Sequence, residues 1–254
     1  MRFDVFSLFP EVFDSYLSTS ILQRAQDAQA LEVHTHNIRD WTSDKHHTTD
    51  DTPYGGGGGM VMKPEPVFAA VEGVLGAPPC CPVILLSPQG RLFNQKVAFK
   101  LAQYDRLALL CGRYESVDER IRQYLATDVI SIGDYVLTGG ELPALVIIDA
   151  VARLLPGVLG DPGAAQNDSH ATGLLEYPHY TRPPEFRSWG IPEVLLSGNH
   201  GQIKCWRRQE SLRRTFQHRP DMLTNADLSQ EDLAFLETLG YKPNAQHTPP
   251  TYQE

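Results

Sequence analysis

Short apolar runs alternate with amphipathic runs along the first part of the chain, up to about Leu155. The apolar runs RFDVFSLF, LEVHTHN, PVILLSP, RLALLCG and DVISI have the length and composition of buried strands. Between and after them, apolar residues recur at helical spacing over 10–29, 67–75, 95–104, 117–126 and 140–155. A polar, glycine-rich loop is predicted from Arg39 to about Met62. Strands that alternate with helices predict an α/β fold with a mostly parallel sheet.

The pattern changes near Gly160. The stretch LGDPGAAQNDSHATG is small and polar and has no periodicity, which favours a mobile linker or lid over 161–176. Beyond it, YPHYTRPPEF is proline-rich, and helices are predicted near Ile203–Gln217 and Ser229–Leu239. We therefore predict three parts: an α/β domain over 1–160, the linker, and a small helical domain over 177–254.

Charge and composition narrow the class of protein. The 254 residues carry a net charge of −9, yet the segment from Arg182 to Arg219 has eight Lys or Arg against three Glu. An acidic chain with one basic segment can still bind a polyanion locally. No run approaches the roughly 20 apolar residues of a membrane span, and MRFDVFSLFP lacks the features of a signal peptide. The four cysteines form no CxxC pair, so we expect reduced thiols and a cytoplasmic protein.

Glycine-containing loops follow three of the predicted strands, as SPQG, CGRYES and SIGDYVLTGGELP. In a parallel sheet such loops gather at the carboxyl ends of the strands, where ligands bind. The last loop has no Lys or Arg, and neither GxxxxGK[ST] nor a strand-linked GxGxxG occurs, so a phosphate ligand is disfavoured. The nearby acids Glu115, Asp134 and Glu141 would suit a ligand with a positive centre and no phosphate, such as S-adenosylmethionine. The early run PYGGGGGM lies beside Asp50 and Asp51, and its composition alone favours a flexible surface turn.

Six motifs, in this order, carry a resemblance that spans nearly the whole chain: DDTPYGGGGGMVM, SPQGRLFNQ, LLCGRYES, ISIGDYVLTGGELPA, YPHYTRPPEF and IPEVLLSGNHGQIKCWRRQESL. They resemble the TrmD family of bacterial tRNA (guanine-N1-)-methyltransferases, of the SPOUT class. The resemblance implies an α/β domain whose C-terminal portion forms a trefoil knot, joined to a small helical domain. It implies a homodimer with active sites at the subunit interface. The implied reaction is methylation of N1 of guanosine 37 in tRNAs with G at position 36.

The resemblance also implies which residues hold the cofactor, S-adenosylmethionine, largely through their main chain. On this chain they are Leu86, Ser87, Pro88, Gly90, Gly112, Tyr114, Glu115, Ile132, Gly133, Asp134, Tyr135, Val136, Leu137, Gly139, Gly140 and Pro143. Relatives are stimulated by magnesium, but no metal-ligand motif appears, so any Mg²⁺ is expected to bridge substrate or loop carboxylates without a dedicated protein site.

Two residues match the family's catalytic groups. Asp168 matches the base proposed to remove the N1 proton, and Arg153 matches the residue that stabilises charge on guanine O6. Without the resemblance, Asp168 is better interpreted as a solvated loop residue, and Arg153 is equally well placed to favour a helix C-terminus. A lid that orders when tRNA arrives would bring Asp168 in late and exclude water.

The remaining candidate residues are those for tRNA: Gly59, His179, Tyr180, Lys204, Arg207, Arg208 and Arg214. The segment KCWRRQESLRRTF reads as an amphipathic helix with Cys205, Gln209, Leu212 and Phe216 on one face and most of its cations off that face. A solvated helix surface is the plainer interpretation, but the concentration of charge favours contact with phosphates.

Two other functions stay open at this point. A SPOUT methyltransferase could modify another RNA target, such as rRNA or a 2′-hydroxyl, which would not need Asp168 for an N1 proton. A non-catalytic RNA-binding protein would use the basic segment alone and would need neither Arg153 nor Asp168.

Overall fold

The computed structural model describes residues 1–161, 163, 165 and 168–242. It divides into two compact units, 1–162 and 163–254. Residues 162, 164, 166 and 167 of the predicted linker lie outside the described residues, and so does the chain after Lys242.

The first unit is built on a five-stranded parallel sheet. Its strands are β1 (Arg2–Ser7), β2 (Glu32–Asn37), β5 (Val83–Leu92), β6 (Arg106–Cys111) and β8 (Asp128–Ser131), in the order β2-β1-β6-β5-β8. Every pair within it is parallel. This confirms the predicted α/β class with a mostly parallel sheet. The trefoil knot stays a prediction.

Helices cover both faces of this sheet. Along the first unit they are α1 (Asp14–Leu17), α2 (Ser20–Asp27), α3 (Pro64–Leu75), α4 (Gln95–Leu101), α5 (Glu119–Tyr124) and α6 (Glu141–Ala152). Strand residues alternate between two cores: Leu107 and Leu109 pack on the side of α6, whereas Ala108 and Leu110 pack on the side of α3. This two-residue period is what a strand buried on both faces requires.

The structure corrects the predicted helix over 10–29. A 3-10 turn (Pro10–Val12) is followed by α1 and α2, with a break between the two helices. At the break the Thr19 hydroxyl donates to the carbonyl of Tyr16 at 2.8 Å, and Ser20 adopts φ 52°. Hydroxyl side chains that bond the nearby backbone compete with helix continuation.

The predicted loop over 39–62 also contains regular structure. A 3-10 turn spans Ile38–Trp41, and two short strands, β3 (Asp50–Asp51) and β4 (Val61–Met62), form a second sheet with β7 (Ser116–Val117). The predicted helix at Val117 therefore begins two residues later, because Val117 belongs to β7. The backbone N–H of Glu115 donates to the carbonyl of Met60 at 3.0 Å, which joins this loop to the segment after β6.

The second unit contains a hairpin, β9 (Glu185–Phe186) and β10 (Trp189–Gly190), and the helices α7 (His200–His218) and α8 (Gln230–Thr238). Short 3-10 turns span Glu193–Leu196 and Pro220–Thr224. The core of this unit contains Leu174, Leu212, Leu223 and Leu236. α8 begins with a capping box in which Ser229 and Asp232 each bond the other's backbone N–H.

One predicted apolar face on α7 is partly wrong. Leu212 is buried and Phe216 packs beside it, but Cys205 is exposed. The buried face of α7 includes Thr215 in addition to Leu212. The Thr215 hydroxyl accepts a hydrogen bond from the backbone N–H of Leu175.

Candidate active site and RNA-binding surface

A cavity lies at the carboxyl edge of the parallel sheet, where the irregular middle of β5 and the loops after β6 and β8 meet the first turn of α6. This is the edge at which parallel α/β sheets bind ligands. Of the residues predicted to hold the cofactor, these line the cavity: Leu86, Ser87, Pro88, Gly112, Tyr114, Glu115, Ile132, Gly133, Tyr135, Val136, Leu137, Gly139, Gly140 and Pro143.

Two of the predicted cofactor residues are not in this lining. Gly90 lies within β5, and a Cβ built there would approach the backbone nitrogen of Ile130 to 2.5 Å. Its missing side chain lets β5 pack on β8. Asp134 is exposed in the loop after β8.

The charged side chains in the lining are Arg113 and Glu115. Arg113 Nε lies 2.9 Å from Oε2 of Glu141, whose side chain is buried. The contact is at ion-pair distance but lacks hydrogen-bond geometry. The Arg113 guanidinium also donates to the carbonyl of Thr138 at 3.3 Å and lies over the ring of Phe9, 4.5 Å from its centroid. The cation is therefore compensated, which leaves little positive charge to attract a phosphate.

Glu141 is the first residue of α6 and joins three segments of the chain. Its Oε1 accepts a hydrogen bond of 2.6 Å from Ser7 at the end of β1, and its other oxygen faces Arg113 after β6. A carboxylate is favoured at a helix N-terminus by the unpaired N–H groups there. Sequence reasoning counted Glu141 as a nearby acid but overlooked Arg113, although an Arg directly after a strand and a glycine was visible in LLCGRYES.

Close packing explains the last two glycines of SIGDYVLTGG. A Cβ at Gly139 would lie 2.3 Å from Arg113 Nε, and one at Gly140 would lie 2.7 Å from the Cα of Cys111. Only glycine lets this loop lie against the end of β6. The loop is thus shaped by contacts within the protein as well as by any ligand.

The early glycine run divides into two parts. Cβ atoms built at Gly55, Gly56 and Gly58 would meet nothing within 4 Å, as an open surface turn predicts. Gly59, in contrast, has φ +82°, and a Cβ there would lie 2.3 Å from Cγ of Glu115. Gly59, predicted to contact tRNA, therefore adjoins a residue of the cavity lining.

The two predicted catalytic residues fall in different units. Arg153 is half-buried and caps the C-terminus of α6, directly after Ala152. Its backbone N–H donates to the carbonyl of Asp149 at 3.3 Å. Asp168 is half-buried in the second unit, where its carbonyl accepts a hydrogen bond from Ala171 at 3.1 Å.

Basic residues form one exposed stripe on α7. His200, Lys204, Arg207, Arg214 and His218 are all exposed, and their successive spacings of four, three, seven and four residues place them on the same face of the helix. Arg207 lies over the ring of Tyr177, 4.8 Å from its centroid. The stripe therefore includes three of the four basic residues predicted to contact tRNA.

Arg208, the fourth, is engaged inside the unit. Its guanidinium donates to both oxygens of Asp232 at 3.0 and 2.7 Å and to the carbonyl of Asp227 at 3.1 Å. Burial alone would raise the pKa of Asp232, but hydrogen bonds from Arg208 and from the backbone of Ser229 bring that pKa below its usual value. Arg208 thus links α7 to α8. The spacing of basic residues in the sequence could not distinguish this role from contact with phosphates.

Aromatic residues lie along the same helix. Tyr180 faces Trp206 with ring centroids 6.4 Å apart, and His179 packs on Tyr177 and lies 2.8 Å from Glu176. Sequence reasoning selected His179 and Tyr180 but passed over Tyr177 and Trp206. Trp206 precedes two arginines in KCWRRQ, and that alternation of aromatic and basic residues was the available signal.

Two features are absent from the residues that the structure describes. Nowhere in that part of the chain do three or more His, Cys, Asp or Glu side chains come together as a metal site. No helix within it is long and apolar enough to cross a bilayer.

The fold and this cavity define an α/β protein with a mostly uncharged cavity at the carboxyl edge of a parallel sheet. Comparison with known proteins identifies the family. Residues 1–225 match the model of "tRNA (Guanine-1)-methyltransferase TrmD", and the chain belongs to that family.

Curated relatives agree over nearly their full lengths. A tRNA (guanine-N(1)-)-methyltransferase of Dehalococcoides mccartyi strain BAV1 is 59% identical over 247 residues, covering 97% of this chain and 100% of the relative. The enzyme of that name from Moorella thermoacetica is 57% identical over 251 residues, covering 98% and 100%. That from Thermomicrobium roseum is 55% identical over 254 residues, covering 100% and 94%.

Proposed function

We propose that the chain transfers a methyl group from S-adenosylmethionine to N1 of guanosine 37 in tRNAs with guanosine at position 36, in the cytoplasm. One observation carries the proposal: within the family match over residues 1–225 lies a cavity that is lined mostly by residues of the motifs SPQGRLFNQ, LLCGRYES and ISIGDYVLTGGELPA. The relatives' names support the guanine N1 target. The methyl donor and position 37 follow from the resemblance.

The cavity suits S-adenosylmethionine chemically. When bound, this molecule supplies a methyl group on a positively charged sulfur. The lining offers Glu115 and a cation, Arg113, that Glu141 compensates, so a positive ligand meets no unbalanced like charge. Backbone groups of the loops around Gly112, Gly133 and Gly139 would hold a flat, phosphate-free ligand, as glycine loops allow.

Asp168 and Arg153 act on the guanine in this proposal. Asp168 accepts the proton from N1, which frees the N1 lone pair to accept a methyl group. Arg153 donates to O6, where negative charge gathers as the proton leaves. The aromatic residues near α7 and the exposed basic stripe would hold the tRNA.

The length of α6 supports a site made by two subunits. Gly140 and Pro143, at its start, line the cavity, whereas Arg153 lies at its other end. At 1.5 Å per residue, the helix separates Arg153 from Glu141 by roughly 18 Å. An Arg153 that stabilises a guanine at this cavity therefore comes from a second copy of the chain.

The same helix presents an apolar face that a second copy would cover. Leu142 and Val146 on α6 are 56% and 44% exposed, and Val12 and Tyr16 are 36% and 44% exposed. The Tyr16 hydroxyl donates to the carboxylate of Asp149 at 3.2 Å, so Tyr16 adjoins α6. Exposed apolar side chains grouped in this way are typical of subunit interfaces. We infer a homodimer across this face, and a Leu142→Arg variant that sediments as the wild-type dimer would contradict it.

The described residues form no Mg²⁺ cage. It stays a prediction that any magnesium bridges substrate or loop carboxylates, and no step is assigned to it.

The deciding experiment is methyl transfer by the purified full-length protein from labelled S-adenosylmethionine to tRNA transcripts. A transcript with G36 and G37 should become labelled at N1, and replacing G37 by adenosine should abolish labelling. Replacing G36 should lower it strongly. Label at a 2′-hydroxyl or in rRNA would indicate another SPOUT target, and binding without transfer would indicate a non-catalytic RNA-binding protein.

A further inference from the structure

The hairpin β9–β10 is exposed on every side. All residues from 181 to 190 are exposed, and none of them belongs to the core of the second unit. Its two aromatic side chains, Phe186 and Trp189, are 55% and 66% exposed. They are cross-strand partners in the ladder, with ring centroids 6.1 Å apart and an angle of 54° between the planes. The core therefore does not explain why this hairpin carries two large aromatic residues.

The turn of the hairpin holds a cation over one of these rings. Arg187 and Ser188 form the two-residue connection and have φ values of 50° and 67°. Two residues in the left-handed region are the signature of a type I′ turn, which usually carries Asn-Gly. Here the guanidinium carbon of Arg187 lies 5.2 Å from the centroid of Phe186. Arg187 thus occupies a left-handed position that disfavours a long side chain, and there its positive charge lies beside the face of Phe186.

Aromatic faces combined with a guanidinium are the chemistry that binds unpaired nucleotides. Bases stack on Phe and Trp rings whatever their sequence, and Arg contacts the phosphate or stacks on a base. A base inside an A-form duplex offers no free face, so an unpaired nucleotide is required. Arg182 and Arg187 outnumber Glu185 in this segment, although the whole chain has a net charge of −9. The local positive charge therefore suits a polyanion such as RNA.

We propose that Phe186, Trp189 and Arg187 form a stacking platform for an unpaired nucleotide of the tRNA substrate, separate from the cofactor cavity and the basic stripe of α7. This proposal rests on the proposed function, because it takes the RNA substrate from the family. The platform binds a base face and one phosphate and takes no part in methyl transfer.

The test uses full-length Phe186→Leu and Trp189→Leu variants, which keep an apolar side chain on each strand and remove the π face. Each should weaken binding of a tRNA transcript by about ten- to a hundredfold, since stacking on one ring accounts for that much affinity. The slope of affinity against salt should not change, because no phosphate contact is lost. Arg187→Gln should weaken binding less and reduce the salt slope by about 0.7.

Three controls keep the result specific. Ser188→Gly suits the left-handed turn better and should keep wild-type affinity. A blunt RNA duplex should bind the Leu variants with wild-type affinity, whereas a single-stranded RNA should bind them more weakly than it binds wild type. Titration with S-adenosylmethionine and sedimentation should give wild-type values for all variants.

Two outcomes would overturn the platform: tRNA affinity within twofold of wild type in both Leu variants, or a change in their oligomeric state, which would make the hairpin a subunit contact. Failure of the proposed function looks different, because the wild-type protein would then bind tRNA and transfer no methyl group to guanosine.

Discussion

Arg113 and Glu141 form an ion pair at the edge of the cavity at the carboxyl end of the parallel sheet, with 2.9 Å between Nε and Oε2. Because the carboxylate is buried and Arg113 is only about one-fifth exposed, each group depends on the other for compensation. The pair controls the net charge that a ligand meets in the cavity.

Glu141→Gln should therefore leave an unbalanced positive charge. We expect it to weaken binding of S-adenosylmethionine about three- to tenfold more than binding of S-adenosylhomocysteine, whose sulfur is neutral. We also expect a loss of about 2–3 kcal/mol in the free energy of unfolding. Calorimetric titration with both ligands measures the first effect, and urea unfolding measures the second.

The control for this prediction is the double variant Arg113→Gln/Glu141→Gln. It restores neutrality and should return the ratio of the two affinities to its wild-type value. Equal weakening of both ligands by the single variant would show that the pair has only a structural role.

Asp168→Asn should lower the rate of methyl transfer by a factor of about 100 or more, because the amide cannot accept the N1 proton. Single-turnover transfer to tRNA measures this rate. The residual rate should rise with pH, since hydroxide then removes the proton. Affinity for S-adenosylmethionine should stay at the wild-type value. A variant that retains the wild-type rate would rule Asp168 out as the base.

Arg207 and Arg208 are adjacent and should behave differently. Arg208→Gln breaks the link to Asp232 and should lower the free energy of unfolding by about 1–2 kcal/mol. Arg207→Gln should leave stability nearly unchanged, weaken tRNA binding and flatten its salt dependence. Thermal unfolding and tRNA titration at several salt concentrations separate the two. Equal effects of both variants on stability would refute the distinction.

Asp4 should make the first unit sensitive to acid. Burial alone would raise the pKa of Asp4, but hydrogen bonds from His36, Arg2 and Arg106 hold it well below its usual value. Because the folded pKa is the lower one, the stabilisation is fully present above the unfolded value of about 3.9. It is lost progressively as pH falls from that value toward the lower pKa of the folded state.

The variant Asp4→Asn tests this dependence. It should cost about 3 kcal/mol at pH 7 and flatten the decline of the unfolding free energy between pH 5 and pH 3. Urea unfolding across that range measures both. Asp27→Asn, at an exposed position on α2, is the matched control and should change neither. A decline as steep as that of the wild type would exclude Asp4 as its source.

The sequence predicted the five strands of the parallel sheet, because apolar runs such as RLALLC are too short for helices and lie between clear helical patterns. It missed the break near Thr19 and the strands β3 and β4. Both depend on individual hydrogen bonds, such as that between Thr19 and Tyr16, and periodicity does not report these.

The cavity was predicted through the motifs, and the structure adds what they could not contain. In the sequence, Arg208 looks equivalent to Lys204 and Arg207, which are exposed on the same helix. Only its contact with Asp232, on another helix, shows its different role. Likewise, the compensation of Arg113 by Glu141 joins residues far apart in sequence.

One buried carboxylate, that of Glu141, contacts side chains from β1 and from the segment after β6. A nascent chain that has made only the first of these segments has no cavity to offer. The cavity is complete only once α6, whose first turn lines it, has docked. We therefore expect the proposed methyl donor to bind only after that step, so that its uptake during refolding would report the completion of the first unit.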